Sequence, residues 1–351
     1  MRFTITSVVA ATCLAALAEC HSWVEELNVA TNGSFVGKKG YIRGHVARTG
    51  SGFNDMMMTH RLPPEDRPVD VGMQPSDFMC MPSQRRQRQS GGFPMLEAAP
   101  GDIVALMLQE NGHVTLPDTQ PGKPENRGTV YIYGTQDPRQ DEKFLDVHGV
   151  WGAGGSGGDG RGRLLASQDF DDGRCYQVNG DKISQSRQQQ YPHEPDELTG
   201  ADLACQHYFP VPKDIKQGSI LTGYWVWIWP TAAGIDPNLP NGKDEIYTSC
   251  FDIKIVASGG YNGTNSTNGT SGKHSSGAPP LNRMPIASLL ANLKNSSGTG
   301  HSDVSDGTKS GSKPPAKGSI VHTPRAATTA TWETKTRTSP YEPTHHYLGE
   351  S

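Results

Sequence analysis

The sequence predicts an all-β fold: a β-sandwich of the immunoglobulin or fibronectin type with long loops, followed by a disordered C-terminal tail. Three observations support this prediction. Apolar segments are short, and several alternate apolar with polar residues, which is the period of a strand. Segments with the helical period are scarce between residues 21 and 257. The 351 residues include 41 glycines and 26 prolines, a composition typical of many short strands joined by turns.

Five segments carry the strand signal, and long stretches separate them. In the last segment, apolar residues alternate with Asp252 and Lys254, which predicts an antiparallel strand with one face in water. Long loops on a rigid sandwich are where functional residues concentrate. The predicted strands are residues 23–29, 102–109, 128–133, 223–229 and 247–256. The predicted long loops are residues 37–98, 134–165 and 176–216.

The first 20 residues have the pattern of a secretory signal peptide. Arg2 precedes an apolar run over residues 8–17, and Ala18-Glu19-Cys20 places small residues at the two positions that signal peptidase reads. We therefore expect secretion to the extracellular space or the cell wall, with His21 as the first residue of the mature chain. No later apolar run is long enough to predict a membrane span.

The rest of the chain divides into a domain at residues 21–257 and a tail at residues 258–351. The tail is rich in Gly, Ser, Thr, Asn and Pro, and such a composition buries too little apolar surface to offset chain entropy. It is predicted to be disordered and glycosylated. The predicted glycosylation sites are Asn262, Asn265, Asn268 and Asn295 in the tail and Asn32 in the domain.

Charge and cysteine content limit the possible partners. The formal net charge is -4, and no basic stripe predicts nucleic-acid binding. Of six cysteines, Cys13 and Cys20 would leave with the signal peptide. An even number remaining in an oxidising compartment predicts two disulfides, with three possible connectivities. No Cys-x-x-Cys pair favours a thiolate metal site instead. The four remaining cysteines are Cys80, Cys175, Cys205 and Cys250.

A histidine at the start of a chain has unusual metal-binding chemistry. Its free α-amine and a ring nitrogen can chelate one ion together, and His21 would gain this capacity after signal cleavage. His113 directly follows the predicted strand 102–109, and Gly112 beside it allows close approach of a ligand. The other histidines of the domain are interpreted singly as surface or core residues. These are His45, His60, His148, His193 and His207.

Four stretches resemble the fungal lytic polysaccharide monooxygenases, which begin with a histidine after signal removal. The last stretch contains a Trp-rich strand and a Glu-x-Tyr-x-x-Cys element, which resembles the chitin-active fungal class; the cellulose-active class has Gln in place of that Glu. The resemblance is remote in sequence and spans roughly the whole domain. The four stretches are His21-Ser22-Trp23-Val24, Pro75-Ser76-Asp77-Phe78-Met79-Cys80, Pro100-Gly101-Asp102-Ile103-Val104 with Gly112-His113, and Gly223-Tyr224-Trp225-Val226-Trp227 with Glu245-Ile246-Tyr247-Thr248-Ser249-Cys250.

This resemblance implies a set of site residues. One copper ion would be held by both nitrogen donors of His21 and by His113, with Tyr247 on the axis. Nitrogen donors in a tetragonal plane suit Cu(II). Glu245 would orient the oxygen co-substrate or exchange a proton with it. The implied disulfides are Cys80–Cys250 and Cys175–Cys205.

The implied activity is a secreted copper monooxygenase that oxidatively cleaves a polysaccharide such as chitin, cellulose or another cell-wall glycan. It would act as a monomer with an external electron donor and O2 or H2O2. Two alternatives remain open. One is a copper-binding protein of the same fold without oxygenase activity. The other is a metal-free carbohydrate-binding or wall-structural sandwich in which His21 is incidental.

Three features depart from the family or suggest other sites. Trp225, Trp227 and Trp229 replace an Arg and a His of the cellulose-active class, and they are interpreted as a core wall in preference to an electron-transfer chain. The Gly-rich stretch 152–163 lacks the Lys-Ser/Thr ending of a phosphate loop, which excludes nucleotide binding. Residues 169–173 contain three Asp and are interpreted as a solvated turn in preference to a calcium loop.

Overall fold

The computed structural model describes residues 21–31, 33–237 and 239–258. The predicted signal peptide, the predicted tail beyond residue 258 and all five predicted glycosylation sites lie outside the described residues. Within that part of the chain, no helix has the length and apolar character needed to cross a membrane.

In the part of the chain that the structure describes, ten strands and two α-helices form the framework of the domain. The strands are β1 (Glu26–Thr31), β2 (Ser34–Tyr41), β3 (Arg61–Leu62), β4 (Leu96–Ala98), β5 (Ile103–Leu108), β6 (Thr129–Thr135), β7 (Gly162–Asp169), β8 (Cys205–Pro210), β9 (Ile220–Ile228) and β10 (Ile246–Ile255). The helices are α1 (Phe144–Val147) and α2 (Lys182–Gln190).

The strands form two sheets. One has the order β2-β1-β5-β8, and the other has the order β3-β10-β9-β6-β7 with β4 added beside β10. The β4–β10 pair is parallel, whereas the other pairs described are antiparallel. The predicted all-β sandwich is thereby confirmed.

The main core lies between the sheets and is built from alternate strand positions. Each strand turns every second side chain to the same face, and these side chains are almost completely removed from water. Trp225, Trp227 and Trp229 belong to this core, as the sequence predicts. Other members are Leu27 and Val29 of β1, Val104, Leu106 and Leu108 of β5, and Phe251, Ile253 and Ile255 of β10.

A second apolar cluster lies on the outer face of the larger sheet. Met79, Phe144 and Trp151 come from the long connections and cover Tyr224 and Val226 of β9. Long segments therefore pack onto the sheet rather than extend into solvent. The prediction of a half-exposed last strand is wrong for this reason.

Asp252 shows the consequence for β10 most clearly. Its carboxylate is fully buried and binds the Arg43 guanidinium through two hydrogen bonds, from Nε at 2.8 Å and from Nη2 at 2.6 Å. Buried charges are tolerated when they are paired and hydrogen-bonded in this way. Along β10 only Lys254 is exposed.

Five strands were not predicted, and they lie in or beside segments predicted as loops. In β2 the residues are mostly polar or glycine, and the strand is at a sheet edge where little of it is buried. In β8 two polar residues, Gln206 and His207, are buried. Their side chains break the apolar pattern, which is the signal that sequence periodicity depends on. The others are β3, β4 and β7.

Two disulfides close the domain with the pairings that the family resemblance implies. Cys80 bonds to Cys250, which ties the long connection after β3 to the centre of β10. Cys175 bonds to Cys205, which ties the connection after β7 to the start of β8. On the loop-entropy model, each contributes about 3–5 kcal/mol.

Candidate metal centre

The rings of His21 and His113 both lie near the phenol ring of Tyr247. The ring centroid of Tyr247 is 6.3 Å from that of His21 and 6.5 Å from that of His113. All three side chains are buried, with relative exposures of 4% for His21, 0% for His113 and 2% for Tyr247. The fold therefore brings together three residues that the sequence analysis selected from distant positions.

The pairing of β1 with β5 explains this convergence. Glu26 pairs with Met107 in this antiparallel ladder, so the residues before β1 and the residues after β5 lie at the same end of the sheet. Hydrogen bonds then fix the segment that carries His21. The Ser22 hydroxyl donates to the Gln109 carbonyl at 2.8 Å. The Asn111 side-chain amide donates to the His21 carbonyl.

The segment is also tied to the other sheet. The backbone N–H of Val24 donates to the Ser249 hydroxyl of β10 at 3.1 Å. Because Ser249 and Tyr247 are two residues apart on the same strand, this bond holds the His21 segment beside Tyr247. The site thus lies where both sheets meet.

Glu110 builds the turn that carries His113. Its carboxylate is buried and accepts hydrogen bonds from the Val114 N–H at 2.6 Å, the Thr115 hydroxyl at 2.5 Å and the Gln177 N–H at 2.8 Å. Burial raises the pKa of Glu110, although these hydrogen bonds oppose the effect. The backbone of Asn111 and Gly112 is left-handed, with φ of 49° and 81°, a conformation that glycine adopts freely and Asn tolerates.

The main chain of Glu110 also orients the imidazole of His113. The Glu110 carbonyl oxygen lies 2.6 Å from Nδ1 and accepts the backbone N–H of His113 at 2.9 Å. A carbonyl can only accept, so Nδ1 carries the proton and Nε2 keeps the lone pair. Metal-binding histidines are typically held by such a bond to the other ring nitrogen.

Trp227 and Trp229 pack against the ring of His113. Its ring is edge-on to Trp229 and to Trp227, with centroid distances of 4.4 Å and 4.9 Å. Trp227 in turn stacks on Tyr247 at 5.2 Å. Packing on Trp227 and Trp229 leaves the imidazole little rotational freedom, which favours a preorganised ligand position.

Glu245 is connected to Tyr247 and to Lys123. The Tyr247 hydroxyl donates to Oε1 at 2.6 Å, and the Lys123 ammonium donates to Oε2 at 2.8 Å. Burial alone would raise the pKa of Glu245, but the charge and hydrogen bond of Lys123 and the hydrogen bond of Tyr247 outweigh it and lower the pKa. Glu245 is therefore a carboxylate at neutral pH.

Sequence reasoning did not find Lys123. Its side chain is 8% exposed, donates to the Trp229 carbonyl at 2.9 Å and lies 3.7 Å from the centre of a Trp229 ring. It stands in a loop between β5 and β6 without any motif around it. A single lysine among Gly and Pro carries no sequence signal of burial, so only the fold reveals the pair.

The donor set at this end of the sandwich fits copper. Two imidazoles and a phenol lie close together, and the bond from Nδ1 of His113 to the Glu110 carbonyl would make Nε2 the nitrogen that binds a metal. After cleavage before His21 the α-amine would add a third nitrogen. Imidazole and amine nitrogens suit Cu(II) and Cu(I).

The Asp-rich turn at residues 169–173 is exposed at Asp169 and Gly173, and the carboxylates of Asp171 and Asp172 bind groups of the protein itself. The Asp172 carboxylate accepts the N–H groups of Arg174, Cys175 and Gln206, and Asp171 pairs with Arg187 at 2.7 Å. Asp172, Cys175 and Cys205 lie within 4.8 Å of one another. Because both sulfurs are in a disulfide, they are not thiolate ligands.

Three of the histidines interpreted as surface or core residues bond to neighbouring groups of the domain. His207 is fully buried, accepts from the Trp225 indole N–H at 3.0 Å through Nδ1 and bonds the Phe170 carbonyl through Nε2 at 2.9 Å. His60 bonds the Phe78 carbonyl at 3.1 Å. His148 lies 3.0 Å from the Tyr133 hydroxyl.

Comparison with known proteins places the chain in a family. The model of the family described as Domain of unknown function (DUF7492) matches residues 18–279. The chain belongs to this family. No curated protein matches the sequence.

Two solved structures show limited similarity. One, titled CvAA9A, has 11% sequence identity and a TM-score of 0.30, and the match covers 68% of this chain and 79% of that chain. The other, a cellulose-active polysaccharide monooxygenase from M. thermophila, has 14% identity and a TM-score of 0.27 over 68% of this chain and 78% of that chain. TM-scores this low establish no activity for the present protein. Neither title supports the predicted proximity to the chitin-active class.

Proposed function

We propose that the mature chain, starting at His21, is a secreted copper-dependent monooxygenase that oxidatively cleaves a polysaccharide such as chitin, cellulose or another cell-wall glycan. The observation that carries this proposal is the convergence of His21 and His113 on Tyr247, with Glu245 bonded to the Tyr247 hydroxyl. The sequence resemblance to lytic polysaccharide monooxygenases adds to it.

In this proposal, His21 and His113 hold the metal, and Tyr247 occupies the space beside both imidazoles. Copper would supply one-electron redox chemistry and the activation of O2 or H2O2, with electrons from an external donor. The Glu110 carbonyl keeps Nε2 of His113 available as a ligand. The ring packing of Trp227 and Trp229 holds that imidazole in place, so little reorganisation is needed on binding.

Glu245 has the properties of a proton acceptor at this site. It is ionised, its side chain is only 12% exposed, and Lys123 and Tyr247 fix both oxygens in position. A carboxylate held this way orients a polar co-substrate and takes up or returns a proton. Lys123 supports that role by keeping the carboxylate charged.

A second candidate is a copper-binding protein without oxygenase activity. The complete burial of His113 favours it, because oxidation of a polymer needs a metal that the polymer can reach. A third, a metal-free carbohydrate-binding or wall-structural sandwich, is favoured by no specific contact at the site. It requires that His21→Ala binds Cu(II) as well as the wild type.

The experiment uses correctly processed, copper-loaded protein with ascorbate on chitin, cellulose, xylan and β-glucan. Oxidised oligosaccharides detected by mass spectrometry on at least one substrate are expected, and His113→Ala should release none. A matched control is His148→Ala, a half-buried histidine that contacts Tyr131 and Tyr133, which should retain activity. Absence of oxidised products on all four polymers would reject the oxygenase proposal.

Titration calorimetry with Cu(II) then separates the two remaining candidates. Tight binding that is lost in His21→Ala, without oxidised products and without peroxide-driven oxidation of a chromogenic phenol, would favour the copper-binding protein. Equal affinity in the wild type and His21→Ala would favour the metal-free alternative.

A further inference from the structure

A cavity of about 460 Å³ lies beside the start of β1, and it is not part of the candidate metal centre. Neither His21, His113 nor Tyr247 lines it. Its volume falls within the range of small-molecule sites. One wall is aromatic and the other is charged, and this division identifies the kind of ligand that fits.

Three rings that pack on one another form the aromatic wall. The centroids of Tyr41 and Phe93 are 5.0 Å apart, and the ring of His45 lies 4.9 Å from Tyr41 and 4.5 Å from Phe93. The main chain joins the two sides, because the N–H of Tyr41 donates to the Pro94 carbonyl at 2.9 Å. Burial lowers the pKa of His45 to about 4, so the wall is uncharged at neutral pH.

Two ion pairs form the charged wall. Nε of Arg48 donates to the Glu25 carboxylate at 2.5 Å, and the Lys39 ammonium donates to the Glu26 carboxylate at 2.5 Å. Arg48 also lies over a Trp23 ring, 4.1 Å from its centre, which fixes its position further. Each pair keeps spare donors on the cation and spare lone pairs on the carboxylate.

The charge balance disfavours an anionic ligand. Glu197 adds a third carboxylate to the lining, so three carboxylates face two cations and one formal negative charge is left. An apolar ligand fits no better, because it would desolvate these charged groups without replacing their hydrogen bonds with water.

We propose that this cavity binds a neutral sugar residue of a glycan. A sugar ring has an apolar C–H face that packs on the aromatic wall formed by Tyr41, His45 and Phe93. Its rim of hydroxyls both donates and accepts, which matches the mixed donors and acceptors of the ion pairs. Glu26 lies five positions after His21, so at most about 18 Å of chain separates this cavity from the metal centre.

Sugar binding at this cavity requires no metal, so it can be tested independently of the proposed oxidation. The experiment is titration calorimetry of the copper-free full chain with cellohexaose, chitohexaose and xylohexaose, and with oligogalacturonate as the anionic counterpart. At least one neutral hexasaccharide should bind, and oligogalacturonate should bind at least tenfold more weakly.

Variants locate the binding in the cavity. Tyr41→Ala and Phe93→Ala should each raise the dissociation constant at least tenfold, because each removes a ring of the wall. Phe93→Leu keeps apolar volume without the ring and should raise it about fivefold, which covers the case in which the alanine variants fail to fold. Tyr191→Ala is the matched control, since Tyr191 is also half-buried and lies outside the cavity.

Three results would overturn the proposal. The first is that no neutral hexasaccharide binds the wild type. The second is that Phe93→Leu and the folded alanine variants bind the sugar as tightly as Tyr191→Ala does. The third is that oligogalacturonate binds more tightly than any neutral hexasaccharide. If sugars bind as expected but no oxidised product is found on any polymer, the sugar-binding proposal is supported and the proposed oxygenase function is rejected.

Discussion

The carbonyl oxygen of Glu110 and Nδ1 of His113 are 2.6 Å apart, so a residue three positions earlier sets the tautomer of the candidate ligand. The same residue uses its side chain to hold the following turn through Val114, Thr115 and Gln177. The main chain and the side chain of Glu110 therefore both hold the His113 imidazole in one orientation.

Glu110→Ala should lower the free energy of unfolding by about 2–3 kcal/mol, because it leaves buried donors without an acceptor. Cu(II) affinity should fall about tenfold as the His113 turn loosens. Urea denaturation and titration calorimetry measure the two effects. Glu97→Ala is the control: Glu97 is exposed and pairs with Lys254 at the surface, and its loss should cost less than about 1 kcal/mol. Equal losses for both variants would contradict this role of Glu110.

Acetylation of the His21 α-amine should abolish the proposed copper site. The α-nitrogen would then be an amide, which does not bind copper at neutral pH as an amine does, and no terminal amine would remain to replace it. Affinity for Cu(II) should fall by more than about 100-fold, a larger loss than that of an outer partner of a ligand. Titration calorimetry of chains starting at His21 with a free and with an acetylated α-amine measures the difference. Identical affinities would show that the α-amine is not a ligand.

His207 should make the stability depend on pH. Burial lowers its pKa from 6.5 to about 4, although a bond to the Phe170 carbonyl opposes the shift. The folded state keeps the ring neutral while the unfolded chain takes up a proton below pH 6.5. The neutral His207 ring therefore contributes fully to the free energy of unfolding above about pH 6.5. As the pH falls towards 4, the free energy of unfolding decreases by about 3 kcal/mol.

His207→Gln cannot titrate and provides the comparison. The variant should be less stable at pH 7, because the Trp225 indole loses its acceptor, but it should lose less stability than the wild type between pH 7 and 4.5. Urea denaturation at three pH values tests this. Parallel losses in both proteins would mean that His207 is not the group responsible.

The strands were predictable where the buried residues are apolar. The segments that became β5, β6, β9 and β10 carry apolar runs, and runs of this kind report burial directly. In β8, burial of Gln206 and His207 depends on hydrogen bonds from distant residues, such as the Trp225 indole bond to His207. Single-sequence periodicity cannot anticipate such bonds.

The same distinction applies to the site. His21, His113, Glu245 and Tyr247 were selected by resemblance to a family, and the fold brings them together. Glu110 was visible only as a neighbour of His113, because a buried carboxylate and an exposed one look alike in sequence. The environment of a charged residue is decided by its partners, and those come from other parts of the chain.

Lys123→Met should affect both stability and the proposed activity. Loss of the ammonium leaves the mostly buried Glu245 carboxylate without its ion pair and should cost about 3 kcal/mol. The pKa of Glu245 should rise towards neutral, since Lys123 is a main cause of its lowering, and the yield of oxidised oligosaccharide should fall at least tenfold at pH 6–7.

Two further variants make this test specific. Lys123→Arg keeps the charge and should recover most of the product yield. Lys243→Met removes a lysine that is more exposed and lies 3.9 Å from the same carboxylate, so its effect on stability should stay below about 1 kcal/mol. If Lys123→Met and Lys243→Met lowered product yield equally, the buried pair would have no special role. If Lys123→Arg failed to recover the yield while folding normally, charge alone would not explain the requirement for Lys123.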